Sequence, residues 1–359
     1  MKAWPHATLA DVARTADVSL ATASRVLNGT ASVRADLRDR VRSAAAELSY
    51  APNAHAQALA RGTHRTVGVI CHDVSDPYFA TIAGGVMKVA NAGGLLVMLA
   101  DTFRDPDREV AYVSALRAQR ASAIVLIGSA FEDRSWERAM SAELEPYRRG
   151  GGRVAAVSRH RGLKVDTVQP DNRGGAAALA KELVGLGHRK FAVLAGPARL
   201  TTVRDRLDGF TGELAAHGVE LAAEDVLETA FCRDGGYAAA KRLLDRPKRN
   251  RPTCVFAVTD VMAMGALAAL REAGVAVPRE MSVAGFDDIP VVCDLTPALT
   301  TVALPLEQLG ERAMDLALKD EGTRPRTVKL GAEVVLREST TRLSRQSTVD
   351  KARSRRAVG

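Results

Sequence analysis

The sequence predicts a small all-α head followed by a two-lobed α/β core built on parallel sheets. Three observations carry this. Residues 8–28 read as two short amphipathic helices separated by a tight turn. From residue 66 onward, apolar strand-like runs alternate with helix-like stretches of about a dozen residues, the pattern of parallel strands covered on both faces by crossover helices. Charge divides the chain in the same places. Residues 1–65 carry nine Lys/Arg against five Asp/Glu, or +4, and residues 342–359 carry six against one, or +5. The formal net charge of +8 therefore leaves −1 for the 276 residues between.

In the head, Thr8 suits the start of the first helix, and Asp11 three residues on completes a T-x-x-D capping pattern. Val12, Ala13 and Ala16 fall on one face. Asp17-Val18-Ser19 breaks the helix. Ser19 suits the cap of a second helix, in which Ala23, Val26 and Leu27 turn inward. Leu20, Ala21, Ser24 and Arg25 then face out. A short helix exposing small, hydroxylic and cationic side chains suits the DNA major groove, which admits a helix and displays base edges. A generic helical hairpin accounts for that pattern equally well. A third helix is predicted over 35–48, with Leu37, Val41, Ala44 and Leu48 as its stripe. Pro52 then suits the first turn of another helix, over 52–60. That piece has only about nine residues, below the ~12–15 an isolated helix needs, so it is expected to order only when bound.

The length of 359 residues predicts two or three domains, and a hydrophobic fraction of 47% suffices for sizeable cores. A basic head fits a polyanion, because phosphate contacts release counterions; solubility alone is the plainer account of a modest basic excess. The neutral middle suits a small-molecule or protein partner. No run reaches ~18 apolar residues, so no membrane span is expected. Pro5, His6 and Asp11 interrupt any basic-then-apolar leader. Cys71, Cys232, Cys254 and Cys293 are scattered without a C-x-x-C pair, as reduced cytosolic cysteines would be. No metal site and no cofactor are expected, since no His, Cys or carboxylate cluster has ligand spacing.

Strands are predicted at 66–72, 95–101, 122–129, 153–159, 190–197, 254–260 and 281–288. In open parallel sheets, ligands bind beyond the carboxyl ends of the strands. Those ends supply Asp73, Asp76, Asp101, Arg159, the segment GPARLTTVRDR after residue 195, Phe231, Asp260 and Asp287-Asp288. Carboxylates and arginines grip hydroxyls, and aromatics stack on a sugar or base. Singly, each Asp reads more readily as a helix N-cap.

TLADVARTADVSLATASRVLN, Y-x-PNAHAQALA and TVGVI, in that order, resemble the LacI/GalR (lactose/purine repressor) family of bacterial transcription regulators, through to about residue 342. The resemblance implies a helix-turn-helix head over 1–51, a hinge helix over 52–62 and a type I periplasmic-binding-protein-like core over 63–342. Its chain would cross between lobes three times, giving lobe 1 as 63–166 with 303–325 and lobe 2 as 167–302 with 326–342. Residues 343–359 would be a disordered basic tail. On the DNA side, the resemblance implies base-edge contacts from Leu20, Ala21 and Arg25, and phosphate or positioning contacts from Thr8, Ser19, Thr22, Ser24 and Asn28. Asn53, Ala56 and Leu59 map onto the minor-groove hinge, with Leu59 as the apolar wedge. On the ligand side it implies Asp76 and Phe79 in DPYF, Thr202, Arg204 and Arg206 in the loop after Gly-Pro, a stacking Phe231, Asp260 in TDVMAMGA and Asp287 in GFDD. Asp101 and Arg159 join this set from the strand-end rule. Three positions depart from the family. Leu200 stands where purine-binding members carry arginine, and Leu304 where many relatives carry glutamine, so a sugar or polyol is the expected effector. Arg34 stands where relatives place a capping Ser or Thr, which puts the start of the third helix in question.

The expected function is that of a ligand-responsive repressor. Half-sites are read in pairs because one head buries too little for strong specificity, so a homodimer on a pseudo-palindromic operator follows. The tail has no leucine heptad that would build a tetramer. The expected location is the cytoplasm, at the nucleoid. A cytosolic sugar-binding protein and an enzyme acting on the same ligand remain the alternatives. Against the enzyme, there is no G-x-S-x-G elbow, no P-loop and no Ser/His/Asp grouping, and none of the seven histidines lies in the cleft motifs.

Overall fold

The computed structural model describes residues 7–28, 33–50, 66–131, 133–160, 162–319 and 324–343. The predicted hinge, with Asn53, Ala56 and Leu59, and the tail from 344 onward lie outside the described residues. The chain divides into two units, 1–65 and 66–359.

Capping chemistry sets the head. Helix α1 (Leu9–Thr15) begins where Thr8 Oγ1 accepts the Asp11 N–H at 3.2 Å and Asp11 Oδ2 accepts the Thr8 N–H at 2.9 Å. It ends before Asp17, whose φ of 49° is left-handed. Helix α2 (Leu20–Asn28) restarts with the Thr22 N–H donated to Ser19 Oγ at 3.1 Å. Helix α3 (Ala35–Glu47) packs across both. Its Arg40 donates to the carbonyls of Ala16 (2.6 Å) and Asp17 (2.9 Å), closing the open end of α1. Val12, Ala13, Ala16, Ala23, Val41 and Ala44 form the small core. Helix α3 starts at the expected place without a side-chain cap, and Leu48 is its C-cap. The Arg34 guanidinium instead grips Asp36 through two hydrogen bonds of 2.8 and 3.1 Å.

The core holds two parallel sheets. The first runs β11-β5-β4-β3-β1-β2, from β1 (Thr66–Cys71), β2 (Leu96–Asp101), β3 (Ala123–Ile127), β4 (Arg153–Val157), β5 (Asp166–Pro170) and β11 (Thr327–Leu330). The second runs β7-β6-β8-β9, from β6 (Phe191–Ala195), β7 (Val226–Glu228), β8 (Cys254–Ala257) and β9 (Ser282–Ala284). An antiparallel ribbon of β10 (Thr301–Ala303) and β12 (Glu333–Val335) joins the second sheet through a bridge between Ala284 and Thr300. The expected lobe boundaries at 166/167 and 325/326 fall one strand too early. Val168 of β5 lies opposite both Val157 of β4 and Val328 of β11, so both strands extend the first sheet. Without them the outer edge of β4 would present unpaired N–H and C=O groups. The three crossings follow Pro170, Ala303 and Leu330.

Helices α4 (Pro77–Ala92), α5 (Pro106–Ala118), α6 (Arg134–Arg149) and α11 (Leu306–Leu318) cover the first sheet. Helices α7 (Asn172–Gly185), α8 (Thr201–Ala216), α9 (Arg233–Leu244) and α10 (Asp260–Glu272) cover the second. Helices α4 and α11 cross very closely: a Cβ on Gly310 would lie 1.9 Å from the Ile82 carbonyl oxygen. One core face therefore continues from the first long helix to the last.

Candidate functional site

Helix α2 presents two faces. Ala23 is fully buried, whereas Leu20 is 53% exposed, and Ala21 and Arg25 are also exposed. The hydroxyls of Ser19 and Thr22 pair at 2.9 Å, and Asn28 Nδ2 donates to Ser24 Oγ at 3.1 Å. These polar groups are thus held in fixed rotamers along the helix. Thr8 is engaged in the α1 capping box. The outcome is a short cationic and small-residue face on a rigid three-helix support, the geometry a major-groove reader needs.

The second site lies between the lobes, at the carboxyl ends of both sheets. A narrow, nearly closed cavity is lined by Asp76, Phe79 and Ser129 from the first lobe and by Thr202, Arg206 and Asp287 from the second, with Tyr78, Phe231 and Thr259 beside them. Asp76 caps α4, accepting the Tyr78 N–H at 3.0 Å, and burial raises its carboxyl above the ordinary range. Thr202 and Arg206 stand one turn apart on α8. Arg206 is 1% exposed and fully engaged with protein: Nε donates to Asn172 Oδ1 (2.9 Å), Nη1 to the Val258 carbonyl (2.6 Å) and Nη2 to Asp287 Oδ1 (2.6 Å). Its plane lies 3.9 Å from the Phe286 ring centre. Burial pushes the Asp287 carboxyl upward, while the Arg206 guanidinium pulls it back.

Arg104, in the loop after β2, closes the mouth. It pairs with Asp73 at 3.1 Å in its own lobe and lies over the rings of Phe79 (5.7 Å) and Phe231 (5.4 Å), one from each lobe. A second link between the lobes pairs Arg159 with Asp205, and Arg199 lies over Phe131 at 5.8 Å.

Six expected ligand residues thus meet in one cavity: Asp76, Phe79, Thr202, Arg206, Phe231 and Asp287. Four do not line it. Asp101 braces its loop, accepting the Val74 N–H (2.9 Å) and the Phe103 N–H (2.8 Å). Arg159 is held in the ion pair with Asp205, and Arg204 is an exposed residue of α8 that does not line the cavity. Asp260 is completely buried beneath the site, accepting Thr301 Oγ1 (2.6 Å) and the Ile289 N–H (2.9 Å), with burial raising its carboxyl to about 6. The adjacent Thr259 lines the cavity in its place. Sequence reading missed Thr259, Tyr78 and Ser129. Each lies at a strand end or inside DPYF, so the strand-end rule reached the loops without resolving which side chain turns inward. Leu200 is buried and bridges to Phe131, and Leu304 is likewise buried.

Residues 8–53 match the family described as bacterial regulatory proteins, lacI family, and residues 180–340 match the periplasmic binding protein-like domain. The chain is 32% identical over 341 residues to the HTH-type transcriptional regulator DegA of Bacillus subtilis, covering 94% of this chain and 99% of DegA. The chain belongs to the LacI family. A second member, GalS of Salmonella typhimurium, is 35% identical over 312 residues, which are 87% of this chain and 89% of GalS. Among solved structures, the Lac repressor dimer bound to operator and the anti-inducer ONPF matches this LacI-family chain with a TM-score of 0.79 and 27% identity, covering 94% and 99% of the two chains. A complex of the regulator CelR with cellobiose matches with a TM-score of 0.67 and 30% identity, covering 93% and 100%. This LacI-family protein is a DNA-binding transcriptional regulator. No helix among its described residues is long and apolar enough to cross a membrane.

Proposed function

We propose that this regulator is a repressor that binds a pseudo-palindromic operator as a homodimer in the cytoplasm, with DNA affinity set by a sugar-like molecule in the interlobe cleft. The observation that carries the reading is the convergence of Asp76 and Phe79 from one lobe with Thr202, Arg206, Phe231 and Asp287 from the other on a single cavity. Carboxylates and hydroxyls there suit a polyol, and the phenylalanine rings suit the apolar face of a sugar ring. The cellobiose complex of CelR is consistent with a sugar ligand. For dimerisation, the edge strand β2 leaves Leu96 67% exposed and Leu99 outward, and Phe103 just beyond it is 68% exposed. Such an apolar edge is a surface for pairing. On the DNA side, Leu20, Ala21 and Arg25 would reach base edges, with Ser19, Thr22, Ser24 and Asn28 fixing register. Selection of bound sequences from a random duplex pool, followed by salt-dependent gel shifts with and without sugars, tests the reading. A two-fold-symmetric site whose affinity falls steeply with salt and shifts with one sugar class is expected. Weak, salt-insensitive binding to every duplex would refute it.

A further inference from the structure

The amino-terminal edge of the first sheet, opposite in direction to the cleft, carries a solvent-open groove. It corresponds to a sequence feature the proposed function leaves unused, the run RRGGGR at 148–153. Four segments converge there: the end of α6, the start of β4, the end of α11 and the approach to β11. Three of the cations already serve the fold. Arg153 donates to the Leu318 carbonyl, Arg148 to the Lys164 carbonyl at 2.6 Å, and Arg326 to Asp166 (2.6 Å) and the Leu316 carbonyl (2.8 Å). The end of α11 is thereby neutralised. Arg149, Lys319 and Arg324 are in addition to that requirement: all three are exposed, and none makes an ion pair among the described residues. Among the described residues, Glu145 is the one carboxylate lining the groove besides Asp166, which Arg326 occupies. Gly151, at φ 89°, adopts a left-handed conformation that suits glycine and leaves the floor without a side chain, since nothing lies within 4 Å of where its Cβ would be. The N–H groups of Gly150, Gly151 and Gly152 are taken up by the carbonyls of Pro146, Arg148 and Tyr147, so side chains would have to hold a ligand here.

We propose that this groove is a second ligand site, for a small polyphosphorylated anion held by Arg149, Lys319 and Arg324. Three cations that make no ion pair among the described residues, from three different segments around a concavity, match an anion bearing several charges better than a single carboxylate. A duplex is convex and would reach only the rim. The groove lies toward the β11 side of the sheet, with β2 at the far edge, so pairing of protomers through β2 leaves it open. Calorimetric titration of the full chain with inorganic triphosphate tests the proposal. Saturable binding is expected, with affinity at least tenfold lower in Lys319→Glu/Arg324→Glu and operator affinity within twofold of the parent. Arg149→Glu alone should weaken it severalfold. The head variant Arg25→Glu should leave triphosphate binding unchanged. Binding lost in Arg25→Glu but kept in the groove variant would overturn the proposal by assigning the anion to the head. Absence of saturable triphosphate binding would also overturn it. So would a groove variant whose only defect is weaker, less salt-dependent binding to random duplex, since that result would make the groove a DNA-backbone contact.

Discussion

Arg206 faces the proposed ligand but also closes a buried network, and its removal should therefore cost stability before it costs ligand affinity. Arg206→Met keeps most of the apolar stem over Phe286 and deletes three hydrogen bonds of 2.6–2.9 Å to Asn172, Val258 and Asp287. Each abandoned acceptor is buried in the lobe that supplies half the cleft. Breaking a buried charge pair by removing one partner costs about 3–5 kcal/mol, because the other is left uncompensated. For a core of this size that corresponds to a fall of roughly 6–10 °C in Tm. The deficit also has a pH sign. Without the guanidinium nothing restrains the upward pull of burial on Asp287, and a group with a raised folded pKa loses its stabilising contribution as pH rises. Because that carboxyl already sits at about 8 with Arg206 in place, the extra deficit opens above that value, and the variant should be weakened more at pH 9 than at pH 7. Adding Asp287→Asn removes the stranded carboxyl and should recover part of the loss. Urea denaturation of the full chain at both pH values, with the double-variant cycle, measures all three effects. A loss below about 1 kcal/mol, or a deficit equal at the two pH values, would refute the network as described.

Other outcomes follow from neighbouring features. Glu109 is buried 3.9 Å from a neutral His72, and burial raises its carboxyl to about 8, so its contribution to stability is lost as pH climbs from about 4.5 through 8. Glu109→Gln should flatten that upper limb, and an unchanged limb in pH-dependent melting would contradict the assignment. Gly310→Ala places a methyl against the Ile82 carbonyl and should cost about 1–3 kcal/mol or more by denaturant titration, since overpacking moves backbone here. Thr8→Ala removes the α1 cap and should destabilise the head by about 1 kcal/mol, seen as a lower operator affinity at elevated temperature. Arg104→Ala should increase hydrogen exchange around Phe79 and Phe231 and leave the head unaffected; unchanged exchange would mean that the clasp does not restrain the lobes.

The parts of the fold that could be read from sequence were those in which a single local rule prevails. The T-x-x-D cap, the apolar faces of α1 and α2 and the uniformly apolar β1, β3 and β6 left little choice of structure. The two outermost strands on the β4 side behaved otherwise. β5 (DTVQP) and β11 (TVKL) are short and carry polar residues, and they are strands because β4 offers an edge to β5 and β5 one to β11, a cause that in β11 lies far away in sequence. Missing them displaced two lobe boundaries. The cleft shows the same limit at the scale of one residue. Asp260 begins α10 and Thr259 caps it, and a turn of about 100° between successive helical positions decides which points into the cavity. Thr259 lines the cavity and Asp260 lies buried below. That rotation depends on Thr301 and Ile289, which Asp260 holds from beneath.

That difference between lining and supporting residues bears on how ligand occupancy would reach the DNA head. A ligand shifts a conformational equilibrium only through contacts that differ between the two states. Asp260 and the Arg206–Asp287 pair are satisfied entirely within the second lobe, so they make the same contacts whatever the first lobe does. The contacts that change with lobe separation are those that span it, among them Arg104 over Phe231, Arg159 with Asp205, Arg199 over Phe131, the Leu200–Phe131 bridge and the Thr201 N–H donated to the Ala130 carbonyl at 3.2 Å. Partly exposed links of this kind are each worth on the order of 1 kcal/mol, and coupling in such regulators is typically about 1–3 kcal/mol. Two or three such links therefore suffice to carry the whole signal. A ligand that stacks on Phe79 and Phe231 must compete with Arg104 for the same faces, so the sign of regulation would turn on whether it displaces that guanidinium or is enclosed beneath it.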